Sequence, residues 1–230
     1  MTAFGVFWGI LMLVMLVGQG NGVFNGIVSA FKIIPGNSVI LGGGVTSMPY
    51  RGLGKERAIT MENDDLELLR SSLGDRVKYV TPMNSAGSMN VNVGENNMNC
   101  SLIGTTPSYY HVIPSQMLYG RYINEVDMRE RRKVCVIGRQ VYETLYPQGG
   151  DPCGQLVKVG DIYYTVVGVV KKLTGIINIG ADVDRSLALP FNTAQLSYGQ
   201  GNNVYTTIVT MQDQYSVKEW EERIVGVLKE

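Results

Sequence analysis

The first apolar run of the chain, "AFGVFWGILMLVMLV", has only apolar residues and glycine from Ala3 to Val17, and no charged side chain appears before Lys32. A helix on a soluble core keeps a polar face, whereas Phe4 to Val17 is apolar all round, which suits lipid or the deep interior of a large protein. The run falls short of the ~20 residues that cross a bilayer core, and the uncharged, glycine-rich stretch from Gly18 to Phe24 brings it close to that length. A secretory signal would need a basic start, yet no Lys or Arg precedes the run, and "VSA" at Val28 to Ala30 comes late for a cleavage site. The pattern predicts a membrane helix clipped at its first turn.

Beyond this segment the periodicity changes. "NSVILGG" reads as a strand, Thr60 to Leu73 as a helix with Leu66, Leu69 and Leu73 on one face, and "RVKYVTPM" as a second strand. Thr60 is expected to cap that helix, with Glu62 and Asp64 against its dipole. Near the other end, "RSLALP", "FNTAQLSYG", "VYTTIVTM" and "YSVKEWEERIVGVLKE" repeat the alternation, the last as a helix presenting Val217, Trp220, Ile224 and Val227. From Ser85 to about Asp184 the chain is mostly strand and turn: "NMNCSLIGTT", "KVCVIG", then "GQLVKVGDIYYTVVGVV", where Gly160 and Asp161 fit a two-residue hairpin turn. The unbroken "YTVVGVV" predicts a strand covered in part on both faces. "RQVYETLYP" is a short helix ended by Pro147, Gly149 and Gly150. The class is α+β, with two small strand and helix units flanking a β-rich middle.

Charge and composition narrow the function classes. Twenty basic and twenty acidic residues leave no net charge, which removes a whole-chain argument for nucleic acid. Cys100, Cys135 and Cys153 are odd in number and widely spaced, so they define no disulfide framework, and Cys135 reads as a small core residue. His111 is the only histidine; a zinc cluster or a Ser/His/Asp triad would need another chain. "PYRGLGKERA" fails as a phosphate loop because Pro49 stands at the first glycine position and Glu56 follows Lys55. "GQGNG" lacks the dinucleotide spacing, and the carboxylates of "TMENDDLELLR" read as a helix start. "NCS" at Asn99 matches a glycosylation sequon of the kind that recurs by chance. Tyr109, Tyr110, Tyr119 and Tyr122 read as packing and rim residues. No residue is nominated as catalytic, cofactor-binding or metal-ligating, and no cofactor is expected.

"GRYINEVDMRERRKVCVIG", then "DPCGQLVKVGDIYYTVVGVV" and "LALPFNTAQ", resemble the MacB-like periplasmic core domain of FtsX-type ABC transporter permeases. The matching positions are Gly120, Arg121, Asp127, Lys133, Val134, Val136, Gly138, Asp151, Pro152, Gly154, Val166, Val167, Gly168 and Val169. Cys153 stands where the family usually carries an aliphatic residue.

The resemblance implies a transmembrane helix and stalk in residues 1–34 and a porter-like subdomain of two strand, helix, strand units in residues 35–84 and 185–230. An inserted β-rich, Sabre-like subdomain would occupy residues 85–184, and further membrane helices would follow Glu230. It also implies the bacterial inner membrane as location, with the main domain on the periplasmic side. The partners expected are an ABC-type ATPase, a second permease subunit, a periplasmic adaptor and an outer-membrane channel. The function implied is mechanical coupling of the ATPase cycle to export, efflux or release of substrate. The alternative of another class is an FtsX-like signalling permease that activates a cell-wall hydrolase or a sensor without transport.

Overall fold

Buried and exposed positions alternate along a sheet whose strands come from both ends of the sequence. The computed structural model describes residues 37–42, 44–45, 58–59, 61–173 and 181–215. In chain order the first elements are β1 (Ser38–Gly42), β2 (Gly44–Val45), β3 (Ala58–Ile59), β4 (Met61–Glu62), α1 (Asn63–Leu73), β5 (Val77–Val93) and β6 (Asn96–Thr105). The middle adds α2 (Tyr109–Val112), β7 (Ser115–Gly120), α3 (Glu125–Arg129), β8 (Val134–Gly138), α4 (Arg139–Leu145), β9 (Leu156–Val159) and β10 (Ile162–Lys172). Then come β11 (Ser186–Pro190), α5 (Phe191–Ser197), β12 (Asn203–Val204) and β13 (Thr206–Met211). The expected leading helix of residues 1–34 and the helix carrying Val217, Trp220, Ile224 and Val227 lie outside the described residues. Among the described residues no helix is long and apolar enough to cross a membrane.

The main sheet runs β1-β13-β5-β6-β11-β8-β10-β7, with β9 pairing both β10 and β5. The double pairing of β9 closes a ring, β5-β6-β11-β8-β10-β9, so these six strands leave no open edge between them. Each strand of the ring sends buried side chains into one cluster: Val91, Cys100 and Leu102, Leu187 and Leu189, Cys135 and Ile137, Val166 and Val169, Val157 and Val159. Tyr164 is fully buried among them. A second cluster lies under α1, where Leu66, Leu69 and Leu73 meet Leu41, Val80, Ile208 and Met211. Both faces of β8 and β11 are buried, which is why "KVCVIG" and "SLALP" show no alternation.

Two expectations are corrected. The helix begins at Asn63, with Glu62 as its cap, instead of at Thr60; the Glu62 N–H donates to Asp65 Oδ2 at 2.8 Å. Met61 and Glu62 are held extended because they pair with Val204 and Asn203 of β12. The strand expected to end at Met83 runs on to Val93. A register shift between Ser85 and Ser88, with Gly87 at φ +83°, bends β5 so that its first half pairs β13 and its second half pairs β6. β5 runs on past residue 84, and β11 lies in the sheet between β6 and β8.

Candidate functional site

The residues that carry the sequence pattern converge on one place, where β7, α3, the β8 strand and the β9/β10 hairpin meet. Arg121 Nη1 donates to Asp127 Oδ2 at 2.6 Å and Nη2 to Oδ1 at 3.1 Å, so the pair is a two-pronged fork. Asp127 is fully buried and also accepts from the Asn124 N–H, while the Asp127 N–H donates to Asn124 Oδ1, a reciprocal cap on the one-turn helix α3. Burial alone would push this carboxyl up. The Arg121 hydrogen bonds, the Asn124 N–H and the charges of Arg121 and Arg132 outweigh it and hold the group below the usual carboxylate range.

Gly120 and Gly168 face each other across β7 and β10. Gly120 is at φ +64°, and a Cβ there would run into the Val167 carbonyl and Cys153 Sγ; a Cβ on Gly168 would run into the Arg121 backbone. The Arg121 N–H donates to Val167 O at 2.9 Å, and the Gly154 N–H donates to Val166 O at 2.8 Å. Gly138 packs on the Val183 and Asp184 carbonyls, and Asp184 in turn accepts from the Lys172 N–H at 2.9 Å. Asp151 accepts the Cys153 N–H at 2.9 Å and so fixes the turn that presents Gly154. The pattern residues thus build a close-packed joint: glycines where backbones touch, and one ion pair, its carboxylate buried and its arginine exposed, to set the angle of α3.

Reactive chemistry does not gather there. Burial pushes the Cys100 thiol up to about 11, and burial, with Asp151 beside it, does the same for Cys153; Cys135, fully buried, also lies above its usual range. These are neutral, weakly nucleophilic thiols at neutral pH. His111 stacks on Tyr79 at 5.5 Å between ring centroids, and among the described residues no group of three or more metal-ligating side chains occurs. Tyr109 is buried, Tyr110 stacks on Tyr122 at 5.3 Å and Tyr119 leans on Tyr142 at 5.4 Å, so the four tyrosines act as packing residues.

A sequence profile of the MacB-like periplasmic core domain matches residues 1–227. The chain belongs to that family. Among curated relatives it is 25% identical over 99% of its length to "Macrolide export ATP-binding/permease protein MacB" of Acinetobacter baylyi. It is 26% identical over its full length to "Pyoverdine export ATP-binding/permease protein PvdT" of Pseudomonas syringae pv. syringae. The chain spans 33% and 34% of those two proteins, about a third of their length. The periplasmic region of MacB from Actinobacillus actinomycetemcomitans shares the fold, with a TM-score of 0.70 over 86% of this chain and 85% of that one at 21% identity. The extracellular domain of the transporter YknZ from Gram-positive bacteria follows at 0.62, covering 74% of this chain and 83% of that one at 22% identity.

Within this MacB-like domain the joint is what the sequence pattern marks. Two open clefts beside it were not legible in advance. One, of about 590 Å³, lies between α1, the start of β5, α3 and α5; the other, of about 570 Å³, lies beyond it and shares Asn63 and Asn192. Their lining residues come from segments more than a hundred positions apart, and no short-range pattern could have joined them.

Proposed function

We propose that this chain is the extracytoplasmic domain of an ABC-type export permease, and that it transmits the cycle of an ATPase inside the cell to partners outside the membrane. The relatives' names join ATP binding, a permease and export in single proteins, and this chain corresponds to a third of such a protein. The observation that carries the reading is the base of the domain. The described chain enters at Asn37 and leaves after Met211 on adjacent antiparallel strands: the Met211 N–H donates to Asn37 O at 2.8 Å, and Asn37 Nδ2 donates to Met211 O at 2.6 Å and to Asp213 Oδ1 at 3.1 Å. Two membrane connections that meet on paired strands push or pull on one object. From that base the sheet continues strand by strand into the closed ring, a stiff path for displacement.

In this reading β1, β13, the first half of β5 and α1 form the porter-like part at the membrane side, and the ring is the Sabre-like part that reaches outward. A second permease subunit in the same membrane pairs with it as a dimer, and a periplasmic adaptor with an outer-membrane channel receives the motion. The chain carries no energy source of its own in this scheme; the ATPase supplies it.

The test is mechanical. In the full-length permease with its ATPase, flexible Gly/Ser segments of about ten residues inserted before Asn37 and after Tyr215 give a coil whose ends wander by ~5–6 Å × √n. Export is expected to fall to background while ATP binding persists. Export at the parent rate with both insertions would overturn the coupling reading.

A further inference from the structure

The second cleft, of about 570 Å³, is built by Asn63 at the start of α1, Arg131 after α3, Asn192, Gln195 and Leu196 on α5, and Asn202 before β12. Its floor is preorganised. Asn63 Nδ2 donates to Gln195 Oε1 at 3.3 Å and Gln195 Nε2 donates back to Asn63 Oδ1 at 3.1 Å, a reciprocal amide pair, while Gln195 Nε2 also reaches Asn203 O at 3.0 Å. The Asn63 N–H donates to Asn202 O at 3.0 Å, and Asn192 Nδ2 donates to Met128 O at 3.4 Å. Against this fixed floor stand groups with no partner among the described residues: the Arg131 guanidinium and the Asn202 side-chain amide. Arg132 beside it is engaged with Glu130 and Asp127, so Arg131 is the free cation of the turn at this cleft.

Arg131, at φ +51°, is the residue that closes the end of α3: its N–H donates to Met128 O at 3.3 Å and the Arg132 N–H donates to Asp127 O at 3.0 Å, so the helix end itself fixes the backbone from which the guanidinium stands. One further observation points to a ligand. Leu196, on the cleft rim, is 70% exposed, the most exposed large apolar side chain among the described residues. A cation, a free amide and an exposed leucine within one cleft match an extended peptide: a carboxylate for the guanidinium, a backbone group for the Asn202 amide, an apolar side chain for the leucine. A free anion would leave the leucine unused. An RNA strand would call for several cations and a stacking ring in the cleft, which is lined by neither.

We infer that this cleft docks an extended acidic segment of a partner protein, with an Asp or Glu carboxylate on Arg131 and a neighbouring apolar side chain on Leu196. The inference names a surface for a partner outside the membrane and rests on the proposed location only for where that partner resides. Peptide binding reads the cleft directly, and export after linker insertion reads the coupling, so either can fail without the other.

The experiment uses the full-length permease in nanodiscs and two fluorescently labelled, capped peptides, Ser-Leu-Asp-Leu-Ser and its isosteric Asn counterpart. Leucine on both sides lets either chain direction reach Leu196. Anisotropy titration is expected to give affinity for the Asp peptide about tenfold or more above the Asn peptide, the factor that one charge-assisted pair supplies. Arg131→Gly is expected to erase that preference while melting no lower than the parent, since glycine relieves the left-handed backbone; Arg131→Lys is expected to retain part of it. Equal binding of the two peptides, no saturable binding, an undiminished preference in Arg131→Gly, or displacement of the Asp peptide by equimolar inorganic phosphate would overturn the assignment.

Discussion

Asp127 couples electrostatics to the fold at a single residue. Its carboxyl is depressed below the usual range in the native state, so the unfolded chain binds the proton more readily and the stability it contributes is fully present above the unfolded value of ~4. That contribution is lost as pH falls through the lower native value. Asp127→Asn keeps the shape but removes the titration and weakens the bonds to Arg121. It is expected to cost on the order of 2 kcal/mol at pH 7, the scale for hydrogen bonds to a charged group, and to flatten the fall in stability over the window below about pH 4. Denaturant midpoints across that window check both, and an unchanged acid slope in the variant would sink the account. The sequence marked Asp127, Arg121, Gly120 and Gly168 as a pattern without saying why they are needed. Their reason is contact between backbones and a charge in a closed space, and both depend on β7, β10 and α3 being brought together.

At the scale of elements, strands and helices with a strong period were legible and those held by long-range bonds were not. β6, β8, the β9/β10 hairpin with Gly160 at φ +57°, β11 and the buried face of α1 follow from period and turn chemistry. The second half of β5, "NSAGSMNVNV", is polar and glycine-bearing, and the sequence does not join it to "RVKYVTPM" as one strand. It is a strand because β6 and β9 supply its partners and Val91 fills the ring. The connection from α5 to β12 is held the same way. Buried Asn84 donates to Gln200 Oε1 at 3.1 Å and to Asn203 O at 2.7 Å and accepts the Tyr205 N–H at 2.8 Å, while Gln200 Nε2 donates to Ser85 O at 2.9 Å. Asn84→Ala strands several polar groups in the interior and is expected to cost about 2–3 kcal/mol, given roughly 1–3 kcal/mol for a buried group left unpaired. Amide exchange should accelerate first in residues 198–205, because those carbonyls and N–H groups lose their anchor. Exchange that rises uniformly through the ring instead would contradict this local role.

For the whole molecule, the point at issue is whether the base moves as one body. Near the two ends of the described chain, Ser38 and Thr210 face each other with Oγ and Oγ1 2.9 Å apart. Because the adjacent pair is bonded through the Met211 N–H and Asn37 O, Ser38 and Thr210 form the closely spaced, non-hydrogen-bonded kind of antiparallel pair, with Cα atoms about 4.5 Å apart. That spacing is within the range a disulfide spans. Ser38→Cys with Thr210→Cys, in a Cys153→Ser background, should therefore oxidise readily outside the cell and close a loop of more than ~100 residues, worth up to about 4–5 kcal/mol in the chain-entropy account. If coupling requires the two strands to travel together, the cross-link removes no motion that export uses. The oxidised full-length permease is expected to export at the reduced protein's rate while its outer domain melts at higher temperature. If instead β1 and β13 part during the cycle, as they would where the two connections move independently, oxidation stops export and reduction restores it. Export measured before and after adding reductant separates these cases, and a reversible block would overturn rigid transmission even with the fold intact.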